Sequence, residues 1–225
     1  MFEECVYRDR AVYLPEERTL VLADVHLGRD RASAVSLPLG EQADILDRLE
    51  NLLDQFEPRA VVVAGDLLHS FDRLSYGVER SLHEFERRIE ERDARLVVTR
   101  GNHDTLLDSV LDGAVSEHHV GDLLVCHGHE RPARAEGYVI GHVHPAITIE
   151  GQKRPCYLRG PAIDGSPTLV LPAFTRLAGG VDIARSRSLR SPLLGAAGGY
   201  RPIVRDEADD ETLEFPPLGE FRTFL

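Results

Sequence analysis

Five short segments of this chain combine Asp, Asn and His in a way that suits metal chemistry. They are Asp24-Val25-His26, Gly65-Asp66-Leu67-Leu68-His69, Gly101-Asn102-His103-Asp104, His127-Gly128-His129 and Gly141-His142-Val143-His144. Their oxygen and nitrogen donors suit borderline divalent cations such as Mn, Fe or Zn. One aspartate can also bridge two cations about 3.5–4 Å apart through its two carboxylate oxygens. These residue types therefore predict a site for two divalent cations.

Each segment alone is a weak signal, because Asn and Asp also form ordinary turns and helix caps. The signal strengthens because each segment follows, within one residue, an apolar run that is typical of a buried strand. The five runs are Thr19 to Ala23, Ala60 to Ala64, Arg95 to Thr99, Asp122 to Cys126 and Tyr138 to Ile140. The carboxyl ends of strands in open α/β sheets line the ligand crevice, so we expect the five segments to meet.

The elements that must position these residues alternate in type over the first two thirds of the chain. Helical periodicity over Glu41 to Phe56 and Tyr76 to Arg92 separates the first three strands and indicates βαβ units. From Val115 onward short strands dominate, which favours a mixed or antiparallel sheet. We expect one domain over 1–225, with a loop over Ala184 to Arg205 and a solvated acidic tail over Asp206 to Glu211. The part from about 184 to 225 is thus expected to be loop-rich.

The five segments together resemble the calcineurin-like metallophosphoesterase superfamily over about Leu20 to Pro145. The Gly-Asp-Leu-Leu-His form resembles its SbcD-type nuclease branch, especially the compact archaeal, ICC-like phosphoesterases related to that branch. Leu171 to Phe174, followed by Gly179-Gly180, is similar to the same compact group. The resemblance implies an α/β fold, namely a four-layer α/β/β/α sandwich of two mixed sheets flanked by helices.

The resemblance also implies a role for each site residue. The residue types alone predict the ligands but do not assign each ligand to one of the two metals. The first metal would be held by Asp24, His26 and His144, the second by Asn102, His127 and His142, with Asp66 bridging both. His103 would act on the substrate phosphate, and Asp104 would orient its ring. For His69, a catalytic role and a structural role remain open. Mn²⁺ is the metal that the resemblance favours, with Fe, Zn, Ni and Co as alternatives.

The expected reaction is hydrolysis of a phosphodiester or phosphomonoester. Two cations lower the pKa of a bridging water, so that hydroxide can attack phosphorus in line. The motifs favour a DNA-repair-type nuclease, whereas the acidic charge and short chain favour a small-molecule or nucleotide phosphodiesterase. A non-catalytic scaffold is the remaining alternative, but no expected ligand position is substituted.

The composition limits the partners. There are 38 acidic and 26 basic residues, for a net charge of −12, so the surface as a whole is no footprint for a polyanion. A polyanion would need a metal or a small basic patch. Lys153 is the single lysine, and an acidic, lysine-poor surface suggests a halophilic protein in a cytosol with very high salt; a genome rich in G and C is the alternative for the arginine bias.

The chain has no apolar run of about 18 residues, so we expect no membrane span. Three cysteines without C-x-x-C spacing argue against a disulfide framework and against a thiolate zinc site. The N-terminus also lacks a signal-peptide pattern, so a cytoplasmic location is expected. Oligomeric state leaves no signal in the sequence.

Overall fold

The computed structural model describes residues 1–28, 40–69, 76–186 and 188–221. Its first sheet has the strand order β1-β2-β3-β4-β5. These strands are Val6–Arg8, Ala11–Leu14, Thr19–Leu22, Ala60–Ala64 and Arg95–Thr99. β3, β4 and β5 are parallel, and two helices follow β3 and β4 in the chain, α1 (Glu41–Phe56) and α2 (Tyr76–Glu90). This region therefore contains the expected βαβ units.

The second sheet has the order β15-β14-β11-β12-β8-β7-β6. In chain order these strands are β6 Glu117–Val120, β7 Leu123–Cys126, β8 Gly137–Ile140, β11 Tyr157–Pro161, β12 Pro167–Val170, β14 Arg201–Asp206 and β15 Glu211–Glu214. A third sheet pairs β9 (Pro145–Ile149) with β10 (Gln152–Pro155) and β13 (Val181–Asp182). β7, β8 and β12 are mutually parallel, and the other pairs of the second sheet are antiparallel.

The two large sheets share a buried apolar layer. Val21 and Val62 of the first sheet belong to the same cluster as Val125, Val139 and Leu169 of the second. The other face of the first sheet packs against the apolar stripes of α1 and α2. The outer face of the second sheet is covered by the small sheet and by segments near the C-terminus, including the short helix α3 (Leu218–Phe221). Burial of apolar side chains on both faces thus fixes the two sheets that carry the site.

The predicted fold class, α/β with two mixed sheets, is confirmed. The expectation for the C-terminal part was wrong in its detail. Arg201–Asp206 and Glu211–Glu214 form an antiparallel hairpin on the edge of the second sheet, so the acidic stretch between them is a turn. All four residues of β15 are exposed, so this strand lacks the apolar alternation that would have predicted it.

In the described parts of the chain, no helix has the length and apolar character that a membrane crossing requires.

Candidate metal centre

The candidate ligands lie on the loops that leave the carboxyl ends of five strands. Asp24 and His26 follow β3, Asp66 follows β4, and Asn102 follows β5 in the first sheet. In the second sheet His127 follows β7, and His142 and His144 follow β8. Because β3, β4 and β5 are parallel, as are β7 and β8, each sheet delivers its ligands at a single edge. The facing sheets bring the two edges together.

These loops have an unusual backbone conformation at the ligands themselves. The residues with φ between 48° and 66° include Asp24, His26, Asp66, His142 and His144. Left-handed conformations are uncommon for residues other than glycine and cluster at functional sites. Hydrogen bonds between neighbouring loops hold them in place, from the N–H of His26 to the carbonyl of Asp66 at 2.9 Å and from the N–H of Asp24 to that of Gly65 at 3.1 Å.

Two glycines allow the loops to pack this closely. A Cβ atom on Gly65 would lie 2.4 Å from the His127 ring, and one on Gly101 would lie 2.0 Å from Asp66 Oδ1. No side chain fits at such distances, so both positions require glycine. The glycines before Asp66 and Asn102 are therefore explained by close approach to other site residues.

The side chains form two groups that could each hold a cation. One contains Asp24, His26 and His144, and the other contains Asp24, Asp66 and His127, with donor atoms within 4.8 Å of one another in each group. His144 Nε2 lies 3.1 Å from Asp24 Oδ1. Two further candidate ligands surround His127 Nε2, with Asn102 Oδ1 at 3.0 Å and His142 Nδ1 at 3.2 Å. All seven candidate ligands thus lie in one cluster, which we call the metal cluster.

The Asp66 carboxylate lies between histidines of both predicted ligand sets. Its Oδ2 is 3.9 Å from His26 Nε2 and 3.4 Å from His127 Nε2. Its Oδ1 accepts a hydrogen bond from the His103 N–H at 2.9 Å. This position is the one that a ligand shared by two cations would need.

The electrostatics of the cluster favour cations. Asp24 and Asp66 are 0% and 2% exposed. Burial, and then the charge of Asp24, raise the pKa of Asp66 to about 8. For Asp24, burial alone would raise the pKa, but the adjacent His144, His127 and His26 outweigh it and hold that pKa below its usual value.

The imidazoles of His127 and His142 do not supply fixed positive charge. Burial lowers the pKa of His127 to about 4 and also lowers the pKa of His142. Within the described ranges, no arginine or lysine forms an ion pair with Asp24 or Asp66. Two buried carboxylates among imidazole nitrogens are costly without a cation, so the donor set fits divalent metals such as Mn, Fe or Zn.

Three histidine rings lie together beside the two carboxylates. The ring centroids of His26 and His103 are 5.3 Å apart, and His69 lies 5.2 Å from His26 and 5.3 Å from His103. His103 Nε2 is 4.0 Å from Asp66 Oδ2. The structure therefore brings both candidate catalytic histidines to the edge of the metal cluster.

Asp104 makes hydrogen bonds to the backbone. Its carboxylate accepts the N–H groups of Leu68 and Gly101, both at 2.9 Å, and so ties the loop after β5 to the loop after β4. The expected role of Asp104 in orienting the His103 ring stays a prediction. The bonds to the backbone are a role that sequence reasoning missed.

The sequence also gave no role to the segment from Leu171 to Thr175. The N–H of Thr175 donates to the carbonyl of Asp24 at 3.3 Å. The Arg10 side chain donates to the carbonyl of Thr175 at 2.6 Å, and Arg48 donates to that of Phe174 at 2.7 Å. This segment therefore supports the Asp24 loop, and its similarity to the compact group was the one available signal.

The chain is similar to one known protein family and to solved structures. A family model described as calcineurin-like phosphoesterase matches residues 17–146. A nuclease of Pseudomonas putida, MPE, has a similar structure, with TM-score 0.65, 25% identity, and 87% of this chain and 88% of that chain covered. YfcE, a phosphoesterase from E. coli, gives TM-score 0.45 at 14% identity, with 87% and 97% covered. A comparison with curated protein sequences gave no match.

Proposed function

From the premise that this chain belongs to the calcineurin-like phosphoesterase family and is a hydrolase, we propose that it cleaves phosphodiester bonds with two divalent cations. The observation that carries this proposal is the buried pair Asp24 and Asp66, which lies among histidines and lacks an arginine or lysine partner within the described residues. Such a pair favours cation binding on electrostatic grounds alone.

The geometry supports a division of the ligands. Asp24, His26 and His144 would hold one cation, as their donor atoms already lie within reach of one another. Asn102, His127 and His142 would hold the other, since the side chains of Asn102 and His142 meet at His127 Nε2. Asp66 would serve both, because one carboxylate oxygen faces a histidine of each set. Mn²⁺ is our proposed metal, with Fe, Zn, Ni and Co as alternatives.

Two bound cations supply charge neutralisation at the phosphoryl group and a nucleophile at neutral pH. His103 lies at the edge of the cluster and is placed to donate a proton to the leaving oxygen or to stabilise charge on the phosphate. His69 stacks on His103 with an interplanar angle of 19°. We propose that it orients or assists that ring, and a structural role is the alternative.

We propose a nuclease as the first candidate for the substrate class. The likeness to nuclease MPE, which extends over 87% of this chain, supports it, as does the SbcD-like Gly-Asp-Leu-Leu-His segment. A small-molecule or nucleotide phosphodiesterase is the second candidate, and the net charge of −12 favours it. The acidic, lysine-poor composition further supports a halophilic protein, and the resemblance to the compact archaeal group supports an archaeal one. We also propose a cytoplasmic location and a single catalytic domain over 1–225.

The deciding experiment is a matrix of metals against substrates. The protein is stripped with EDTA, reloaded with Mn²⁺, Fe²⁺, Co²⁺, Ni²⁺ or Zn²⁺, and assayed on bis(p-nitrophenyl) phosphate, p-nitrophenyl phosphate, single-stranded DNA and cyclic or linear nucleotides. We expect two bound metals per chain and hydrolysis of diesters. Absence of both metal uptake and hydrolysis would contradict the proposal and favour a non-catalytic scaffold. Preference for nucleotides over DNA would select the second candidate.

A further inference from the structure

A small basic cavity adjoins the metal cluster on the side of His144. Its volume is about 160 Å³, and its lining includes His144 together with Arg10, Lys153 and Arg176. Ala178, Gly179 and Gly180 contribute small residues to the wall, which leaves the cavity open beside the three long basic side chains. The cavity is therefore lined both by a candidate metal ligand, His144, and by three positively charged side chains.

The charge of this cavity is opposite to that of the protein. Its described lining contains three fixed cations and no carboxylate, in a chain whose net charge is −12. Lys153, the single lysine of the chain, is one of the three. Local positive potential on an acidic body attracts anions to that place alone.

The basic lining continues into a second cavity of about 190 Å³. The two cavities share Arg10, Pro155 and Arg176, so they adjoin. The second cavity adds the cations Arg48 and Arg205 and the carboxylates Asp9 and Glu207. We call the two cavities together the basic groove. The groove therefore joins the candidate ligand His144 to five basic side chains.

The arginines of the basic groove are crowded and held in place. Arg10 donates from Nη1 to the carbonyls of Ala173 and Thr175. Burial, and then the charges of Arg48 and Arg176, lower the pKa of Arg10 to about 10, so it stays charged at pH 7.

A single carboxylate serves two of these arginines. Asp44 is 2.6 Å from Arg176 Nη1 and 2.9 Å from Arg48 Nη2. Crowded guanidinium groups that share one carboxylate repel each other, and a bound anion would relieve that repulsion.

We propose that the basic groove binds phosphates that neighbour the scissile phosphate on a polynucleotide strand. This inference rests on the proposed function and narrows its substrate class, because a ligand with one phosphate at the metal cluster would leave the groove unused. Arginine and lysine are the residues that contact strand phosphates, and the number of such contacts determines how strongly binding depends on salt.

A binding measurement tests the groove without catalysis. The double variant Arg176→Gln/Lys153→Gln and the wild type are titrated against a fluorescent single-stranded oligonucleotide in EDTA, and anisotropy is followed from 50 to 200 mM salt. Each lost phosphate contact lowers the slope of log K against log salt by about 0.7, so we expect a slope reduced by about 1.4. We also expect affinity about tenfold weaker at the lowest salt. Equal affinity and slope in the two proteins would overturn the proposal.

The matched control is Arg87→Gln/Arg92→Gln, which also removes two positive charges, from partly exposed arginines that pair with carboxylates but lie outside the groove. It should bind the oligonucleotide as the wild type does. A loss of the same size in this control would mean that overall charge, and not the groove, governs binding, and would also overturn the proposal.

Turnover with the metal-loaded protein gives a second readout. The ratio of kcat/KM for the oligonucleotide to kcat/KM for bis(p-nitrophenyl) phosphate should fall about tenfold in the double variant. An unchanged ratio overturns the proposal. If no metal supports hydrolysis by the wild type, the proposed function fails, while the binding experiment in EDTA still decides whether the groove recognises a strand.

Discussion

Two carboxylates of this molecule, Asp66 in the metal cluster and Glu84 on the outside of α2, experience opposite environments. Glu84 lies 2.6 Å from Arg87 and 3.0 Å from Arg88, and hydrogen bonding to Arg87 is the main reason that its pKa falls to about 2. Asp66 is buried beside Asp24, and its pKa rises to about 8. The ionised form of Glu84 is thus stabilised by its surroundings, whereas the ionised form of Asp66 is destabilised.

The difference shows where charge is balanced by the chain and where it is not. On the surface, arginines pair with many of the acidic side chains, as on α2. In the cluster, the neighbours of Asp66 are imidazole rings. The His127 ring is neutral at pH 7 because its pKa falls to about 4. The net charge of the protein therefore gives little information about the site, whose two carboxylates are candidate ligands for cations.

The largest effect expected from this comparison is that of Asp66→Asn. The amide keeps the size of the side chain but removes the charge that would attract both cations, so hydrolysis should fall by more than about 10³-fold. Metal content, measured by mass spectrometry on the dialysed protein, should fall with it. The same change at a surface carboxylate, Asp54→Asn, should alter neither value, and full activity in Asp66→Asn would refute the assigned role.

His103→Ala should have the next largest effect, since it would remove the proposed proton donor without removing a proposed ligand. We expect a loss of about 10²–10⁴ in kcat with the metal content retained. His83→Ala, which changes an exposed histidine on α2, is the control.

His69→Ala distinguishes the two roles left open for that residue. Because His69 stacks on His103, a smaller loss in kcat with an altered pH profile would support a catalytic or positioning role. Loss of thermal stability with kcat unchanged would identify a structural histidine.

In the metal-free protein, the raised pKa of Asp66 should make the free energy of unfolding depend on pH. Its pKa is about 8 when folded and 3.8 in the unfolded chain, so the folded state binds more protons between these values. Stability is therefore highest at low pH and is lost as pH rises, by about 3 kcal/mol from pH 5 to 7.5 for this group.

Chemical denaturation in EDTA measures this loss, and Asp66→Asn is the reference because it cannot ionise. The difference between the two proteins should grow with pH and shrink when Mn²⁺ is added to the wild type. Parallel pH profiles would mean that another group compensates Asp66.

The same contrast explains how far the sequence predicted this structure. Asp24, Asp66 and His127 could be predicted because each follows an apolar strand. Five such segments carry Asp, Asn or His, and few functions other than metal binding explain that repetition. The hairpin Arg201–Asp206 and Glu211–Glu214 could not, since its outer strand is exposed throughout and is fixed by pairing with a neighbour.

The basic groove was equally hidden from sequence. Arg10, Lys153 and Arg176 are distant in the chain and become one surface only through the packing of three segments. Each of the three alone looks like any other basic residue of an acidic protein.

A change of salt should act on the surface and leave the cluster's need for cations unchanged. The screening length shortens from about 10 Å at 0.1 M to 3 Å at 1 M, which weakens the repulsion among the 38 acidic side chains. If the acidic, lysine-poor surface is halophilic, Tm should rise by about 5 °C or more between dilute buffer and molar KCl. A flat profile would remove the halophilic interpretation and favour the explanation from genome composition.

The smallest effect should come from Glu84→Gln, the surface counterpart of Asp66→Asn. The Glu84 pKa lies below its unfolded value, so its ion pairs stabilise the fold above about pH 4.5 and lose that contribution as pH falls toward 2. Water and salt screen these pairs, which limits the loss at pH 7 to about 1 kcal/mol or less. Denaturation at pH 7 and at pH 2.5 measures it, with Glu79→Gln on the first turn of α2 as the control for charge alone. A loss several times larger would mean that Glu84 organises the contacts of α2 with α1 through Arg88, which also pairs with Glu50.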